Sequence, residues 1–381
     1  MQKRICIFSF YNRNGYLDDY VLYLLNDISK CVCRLIIVVN GFVDDRGKKL
    51  FYNYTDEIVI RENLGYDAGA YRHVLTDLLE ENVLNGYEEV IFCNDTFFGP
   101  VKSLVEIFGE MKNRNCDFWG FSGYFDKVFA HIQSYFFVFR KKIIVQGLLT
   151  QYFRNYVDGR TVNLKEIYGQ FELGLFDFLV RKNGMSYECY AYTSHLDVYR
   201  SSYLCLKKYS LPIIKKKVFS CFEENMDNIW CTLSYIKYET QYDVTLILDY
   251  IQQAYGLIIR KEEIRTIDAY RIPDAVIYPR AVNNEEQIEE FLSNGIFYIY
   301  GAGVNGSKCY WRFARGNSCF KGFVVSDGMA GGEKAMYGHP VFQLSEIVDL
   351  QSAKILLAVE KQYADEIMKN IKRTSNVMRI F

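Results

Sequence analysis

Apolar residues fall along the first half of the chain in two alternating patterns. Short runs at Ile5 to Phe10, Leu35 to Val39, Glu57 to Ile60 and Glu89 to Phe92 have the length and composition of buried strands. Between them, apolar positions return at helical spacing, first at Leu17, Val21, Leu24, Leu25 and Ile28, then at Val74, Leu75, Leu78 and Leu79. This alternation predicts parallel strands joined by helical crossovers. Pro100 is placed as an early helix residue, with Leu104, Phe108 and Met111 continuing the stripe. Strands follow at Asp117 to Phe121 and Ser134 to Phe139, and a less regular stretch, Lys141 to Gly184, ends in the helical pattern Phe171, Leu175, Phe176, Phe178 and Leu179. Tyr187 to Tyr190 reads as the last strand of this part.

The pattern then restarts. Ser220 to about Gly256 is helical, and Arg271 to Asn284, holding Pro273 and Pro279 without periodicity, is the core of a linker. Ile288 and Phe291 belong to a short helix, and Ile296 to Tyr300, Gly322 to Ser326 and Lys354 to Val359 are strands. The expected division is a larger α/β domain over 1–256, a linker over 257–283 and a smaller domain over 284–381.

Composition changes this picture only by exclusion. At 381 residues the chain is long enough for two domains, and a formal net charge of −1 gives no global basic field, which argues against nucleic acid as a partner. The eleven cysteines are scattered, and Cys31 with Cys33 has no matching second pair, so neither a zinc site nor a disulfide framework emerges and reduced cytosolic thiols are expected. Asn12 to Asn14 interrupt the first apolar run, which reads as a strand rather than a signal peptide. No run reaches the ~18 apolar residues of a spanning helix, so a soluble or peripheral protein is expected. The 17% aromatic share serves either cores or sugar-stacking platforms.

The candidate chemistry sits at strand ends, where open parallel sheets bind ligands. Ser9 lies near the end of the first strand. In ENLGYDAGAY, between a strand and a helix, Gly65 permits unusual backbone conformations, Asp67 is placed to cap the helix, and Gly69 leaves room at its first turn, a setting that favours phosphate. CNDTFFGP follows the fourth strand and offers Asn94 and one carboxylate, Asp95, where a pair would hold Mg²⁺ or Mn²⁺. Alternatively it is only a turn. Trp119 in DFWGFSG, with His131, Gln133 and Ser134 in HIQSYFFVF, forms a prospective aromatic and polar binding wall. Glu172, at the start of a helix, is a candidate proton acceptor or simply complements the helix dipole. The five lysines of KKYSLPIIKKKVF, Lys215 among them, suit a pyrophosphate, an anionic lipid surface or plain solvent. GAGVNG at Gly301 to Gly306 fits GxGxxG with glycines at Gly301, Gly303 and Gly306, and Asp327 follows at the distance expected of a ribose-reading acid.

In this order, ENLGYDAGAY, CNDTFFGP, DFWGFSG, HIQSYFFVF, QFELGL, LPIIKKKVF and TQYDVTLILDYI resemble the rhamnan synthesis F family over about residues 1 to 255. The resemblance implies a GT-A type fold: an α/β nucleotide-sugar-binding domain with a mixed, mostly parallel sheet, here followed by a small Rossmann-like domain. It implies an inverting glycosyltransferase moving a sugar, most typically from dTDP-β-L-rhamnose, to a lipid-linked glycan on the inner face of the plasma membrane. Asn94 and Asp95 then stand in the place of the Asp-x-Asp motif, Asn63, Gly65 and Asp67 line the donor, Glu172 is the base, and His195 joins Asp95 at a divalent cation. Asn40 and Gly41 depart from the Asp residues that such enzymes carry after the second strand, leaving the base of the donor open.

Two other readings stand beside this one. The first is an NAD(P)-binding oxidoreductase or sensor working through GAGVNG, with NAD or another nucleotide as its ligand. The second is a non-catalytic partner in polysaccharide assembly.

Overall fold

Val, Ile and Phe occupy both faces of the strands that open the chain, and burial on both faces requires helices above and below. The computed structural model describes residues 3–79, 81–193, 195–329, 334–347, 352–371 and 376–381. The chain forms two units, one from residues 1–123, 132–162 and 178–277, the other from 124–131, 163–177 and 278–381.

In the first unit, β1 (Arg4–Phe10), β2 (Arg34–Asn40), β3 (Ile58–Arg61) and β4 (Glu89–Asn94) are mutually parallel. They alternate with α1 (Asp19–Ser29), α2 (Asp45–Phe51) and α3 (Tyr66–His73). Every residue of β1 and β4 is buried, as a central parallel strand requires. After α4 (Leu104–Met111) come β5 (Phe118–Gly120), β6 (Phe136–Arg140) and β7 (Tyr187–Cys189). The sheet runs β7-β5-β6-β4-β1-β2-β3, with only β6 antiparallel to its neighbours. The mixed, mostly parallel sheet expected from the sequence is therefore present.

One local expectation is corrected. Pro100 lies outside the helix, which begins at Leu104, where the Ser103 hydroxyl accepts the Val105 N–H. The helical pattern of 220–256 resolves into α5 (Met226–Glu239) and α6 (Thr245–Tyr255), and α6 buries Ile247, Leu248 and Ile251 in the main core. Ile214–Lys215 pairs antiparallel with Phe97–Phe98, and this short ladder brings the lysine run to the end of β4.

The second unit contains α7 (Glu285–Leu292), β8 (Phe297–Tyr300), α8 (Val304–Cys309), β9 (Phe320–Val325), β10 (His339–Gln343), β11 (Lys354–Leu357), α9 (Lys361–Asn370) and β12 (Val377–Arg379). Its sheet runs β10-β9-β8-β11-β12, all parallel, with Ala335–Met336 antiparallel at the β10 edge. The first strand is central and later strands add on either side, a Rossmann-like order. Residues 284–381 do not close this core alone. Ile288, Phe297, Ile299, Phe323 and Leu356 pack in one cluster with Tyr124, Val128, Phe129 and Leu173 from the first half of the chain.

Candidate functional site

Parallel pairing delivers the carboxyl ends of β1 to β4 to one edge of the first sheet. Register sets Ser9 beside Asn94 and Asn40 beside Arg61. Their side chains form one chain of hydrogen bonds. The Arg61 guanidinium donates to Asn40 Oδ1, Asn40 Nδ2 donates to Ser9 Oγ at 3.0 Å, and Ser9 Oγ donates to Asp67 Oδ1 at 2.7 Å. Asn94 Nδ2 donates to the other Asp67 oxygen at 2.6 Å, Thr96 Oγ1 donates to Asn94 Oδ1 at 2.7 Å, and Lys215 Nζ donates to Thr96 Oγ1. Burial raises the Asp67 pKa, while the hydrogen bonds from Ser9 and Asn94 oppose the rise.

Asp67 does not cap α3 as expected. Gly65 holds the N-cap position in a left-handed conformation, φ 72°, which frees the Asp67 carboxylate to reach β1 and β4. The room at Gly69 is also filled by the protein itself: a Cβ there would lie 2.2 Å from the Leu64 carbonyl oxygen.

Asp95 belongs to a second, adjoining network. Its Oδ2 accepts from Lys216 Nζ at 2.9 Å and from the Tyr20 hydroxyl at 3.2 Å, and Lys216 also donates to Tyr20 at 2.7 Å. Burial works against the charged form of Lys216, but the nearby charges of Asp95 and Tyr250 outweigh it and its pKa is raised. Burial pushes the Asp18 carboxyl up to about 6, with Lys216 lowering it and Asp95 raising it. Asp18 and Tyr250 also line a cleft of about 830 Å³ formed by the loops after β1 and β2 and by α6. Lys216 lies 5.0 Å from the Tyr250 ring centroid, so the ion pair borders this cleft. Lys215 sits 4.2 Å over the ring of Tyr135, whose hydroxyl meets Ser122 Oγ, the same hydroxyl that donates to Gln133 Oε1.

Ser9, Gly65, Asp67, Asn94, Asp95, Gln133 and Lys215 are all in the first unit, as are Asn63 and Ser134, both half-buried. Trp119 offers no surface to a ligand. It is fully buried against Phe108 and Phe136, because its face of β5 points into the core. His131 and Glu172 belong to the second unit, where they are buried with His131 Nε2 3.3 Å from Glu172 Oε1. Burial lowers the His131 pKa against the raising influence of Glu172. Lys308, also buried and 3.6 Å over the Tyr124 ring, is pushed down to about 8 by burial, with Asp126 and Glu172 opposing.

The expected cation site is not supported by these donors. The Asp95 carboxylate is neutralised by an ammonium group, and the Asp67 carboxylate is taken by Ser9 and Asn94. His195 lies half-buried in the turn before Leu196, and among the described residues no three His, Cys, Asp or Glu side chains are grouped to hold a metal ion. Arg61, Thr96, Lys216, Tyr20 and Tyr250 were not singled out from sequence. Thr96, Lys216 and Tyr250 left a trace as members of CNDTFFGP, the lysine run and TQYDVTLILDYI, whereas Arg61 and Tyr20 left none.

In the second unit the three glycines differ. Gly301 has φ +115°, and a Cβ there would meet the Ala358 carbonyl at 2.7 Å. At Gly306 a Cβ would meet the Gly301 carbonyl at 1.9 Å, whereas at Gly303 it would meet nothing within 4 Å. Asp327 follows β9, and its Oδ1 accepts the Ser345 N–H at 3.0 Å.

The fold is an α/β domain whose mixed, mostly parallel sheet carries a polar, hydrogen-bonded edge at the carboxyl ends of β1, β2 and β4. The chain belongs to the rhamnan synthesis protein F family, whose model matches residues 35–277. It is 28% identical over 171 residues to the virulence protein VirA of Vibrio anguillarum, covering 43% of this chain and 51% of that one. It is 26% identical over 165 residues to y4gN of Sinorhizobium fredii, covering 42% of each. The aligned part is thus about half the length of the curated relatives. Among solved structures, it resembles glucosyl-3-phosphoglycerate synthase from Mycobacterium tuberculosis, in complex with Mg²⁺ and UDP, at 10% identity and a TM-score of 0.24, over 37% of this chain and 57% of that one. No helix of the described residues is long and apolar enough to cross a membrane.

Proposed function

We propose that this protein transfers a hexose from a nucleoside-diphosphate sugar to a glycan acceptor, with the donor held at the carboxyl edge of the first sheet. The observation that carries this reading is the hydrogen-bond chain from Arg61 to Lys215 beside the Asp95–Lys216 pair. The strand order departs in two directions from β1, and the crevice between β1 and β4 is where an open α/β sheet takes its ligand. In this reading the 830 Å³ cleft receives the nucleoside, and Lys215 and Lys216 face the diphosphate.

The chemistry asked of the protein is to stabilise a leaving nucleoside diphosphate, and preorganised ammonium groups in a partly buried site do that without reorganising. Asp67 and Asn94, locked by each other, fix the polar floor on which the sugar rests. Rhamnose is the sugar the family's name favours, with dTDP-L-rhamnose as donor and a lipid-linked surface polysaccharide as acceptor. The buried pairing of Glu172 with His131 favours a structural role for that carboxylate over proton transfer.

The test is turnover by the purified chain with dTDP-rhamnose, UDP-glucose and GDP-mannose, read as release of nucleoside diphosphate with and without glycan acceptors. Sugar-dependent release that falls in Lys215→Ala supports the reading. Absence of both binding and release with every donor would remove it.

A further inference from the structure

A cavity of about 1000 Å³ opens in the second unit at the carboxyl ends of β8, β9 and β11, lined by Tyr300, Gly301, Gly303, Ser326, Lys165 and Lys334 among others. Its volume is at the upper end of the range for small-molecule and cofactor sites. Nothing in the sugar-transfer reading uses it. We propose that this cavity binds a nucleoside diphosphate, free or as part of a larger nucleotide, independently of the donor site.

Three observations converge on that chemistry. The Gly301–Gly303 loop is bare on the cavity side: Gly303 is the one glycine of the three at which a Cβ would meet no atom, while Gly301 and Gly306 are held by close backbone approach. Lys165, from the segment contributed by the first half of the chain, donates to the Ala302 carbonyl at 3.3 Å and so places its ammonium on that loop. Lys334 adds a second cation on the lining, which also carries Glu346 and Glu366. Two ammonium groups over an open backbone suit a diphosphate, which no side chain would then obstruct.

The remaining walls explain the nucleoside. Val341, Phe342 and Ile367 give an apolar surface for a base. Ser326, just past β9, lies on the lining, and the next residue, Asp327, is anchored by the Ser345 N–H, which puts an acid next in sequence to that wall. Lys165 explains why 163–177 belongs to this unit in a functional sense: residues 278–381 alone would lack one of the two cations.

The experiment uses the full chain and measures binding of ADP, UDP, dTDP and NAD by titration calorimetry, in wild type, Gly303→Val and Lys165→Ala. Gly303→Val has room in the folded protein, so a lost site reports obstruction rather than unfolding, and an unchanged melting temperature without ligand checks this. The expected result is saturable binding of at least one nucleotide that disappears in Gly303→Val and weakens about tenfold in Lys165→Ala, the size of one lost charged contact. Preference for NAD over ADP identifies a dinucleotide, and preference for UDP or dTDP identifies a nucleotide of the sugar-donor kind. Binding of every nucleotide unchanged in both variants, or no binding at all, overturns the proposal. Lys215→Ala, which weakens only the first unit's site, separates failure of this inference from failure of the sugar-transfer reading.

Discussion

Lys216 Nζ lies 2.9 Å from Asp95 Oδ2, and both groups are largely withdrawn from solvent. An ammonium group therefore lies beside the one carboxylate of CNDTFFGP. Breaking a buried pair by removing one partner strands the other, at a cost of about 3–5 kcal/mol. Lys216→Met is expected to lower unfolding stability by about that much in urea titrations. The double variant Lys216→Met with Asp95→Asn should recover a good part of the loss, and a single variant as stable as wild type would mean the pair contributes nothing.

The same pair makes a prediction about metal. If the lysines face the diphosphate, chelation with EDTA should change kcat/KM for the donor by less than about twofold. Lys215→Ala should lower it about tenfold or more, since a hydrogen bond to a charged group contributes about 1.5–3 kcal/mol. Activity that is lost on chelation and restored by Mn²⁺ would give Asp95 to a cation instead.

The strands were legible because β1, β2 and β4 are buried on both faces and leave unbroken apolar runs in the chain. Asn94 and Asp95 stand out for a related reason, since polar residues at the end of such a run come to the sheet edge, whereas Asp67, inside α3, reads from sequence only as a helix cap. Partners were not legible. Lys216 and Asp95 are separated by 121 residues, and nothing local to either announces the other. Trp119 was misread because strand alternation does not say which face of a short strand meets the core. His131 and Glu172 were read with the first domain because sequence order puts them there. Their segments instead pack into the second core through Val128, Phe129 and Leu173, too few residues to leave a periodic signal.

Glu172 offers a direct test of that reassignment. Its carboxylate, 3.3 Å from His131 Nε2 and buried, is expected to support folding rather than proton transfer. Glu172→Gln should lower the melting temperature while turnover per folded molecule stays within about threefold, a loss of under about 0.7 kcal/mol in transition-state stabilisation. Unchanged stability with turnover reduced a hundredfold or more would restore Glu172 as the base.

Lys308 allows the electrostatics of the second core to be read from pH. Its pKa is pushed down to about 8 from the ordinary 10.5, chiefly by burial. Below about 8 both folded and unfolded chains carry the proton, and the folded state bears the full cost of burying an ammonium group. Between about 8 and 10.5 the unfolded chain holds more protons than the folded one, so stability rises with pH across that window. Above it both forms are neutral and the cost is gone. Lys308→Met should therefore stabilise the protein at pH 7 by up to about 3 kcal/mol, less the ~1–2 kcal/mol of the lost contact with the Tyr124 ring. That advantage should shrink steadily between pH 8 and 10.5 in denaturant titrations. A variant that is less stable than wild type at pH 7 by the same amount at every pH would show that the Tyr124 contact outweighs the cost of burial.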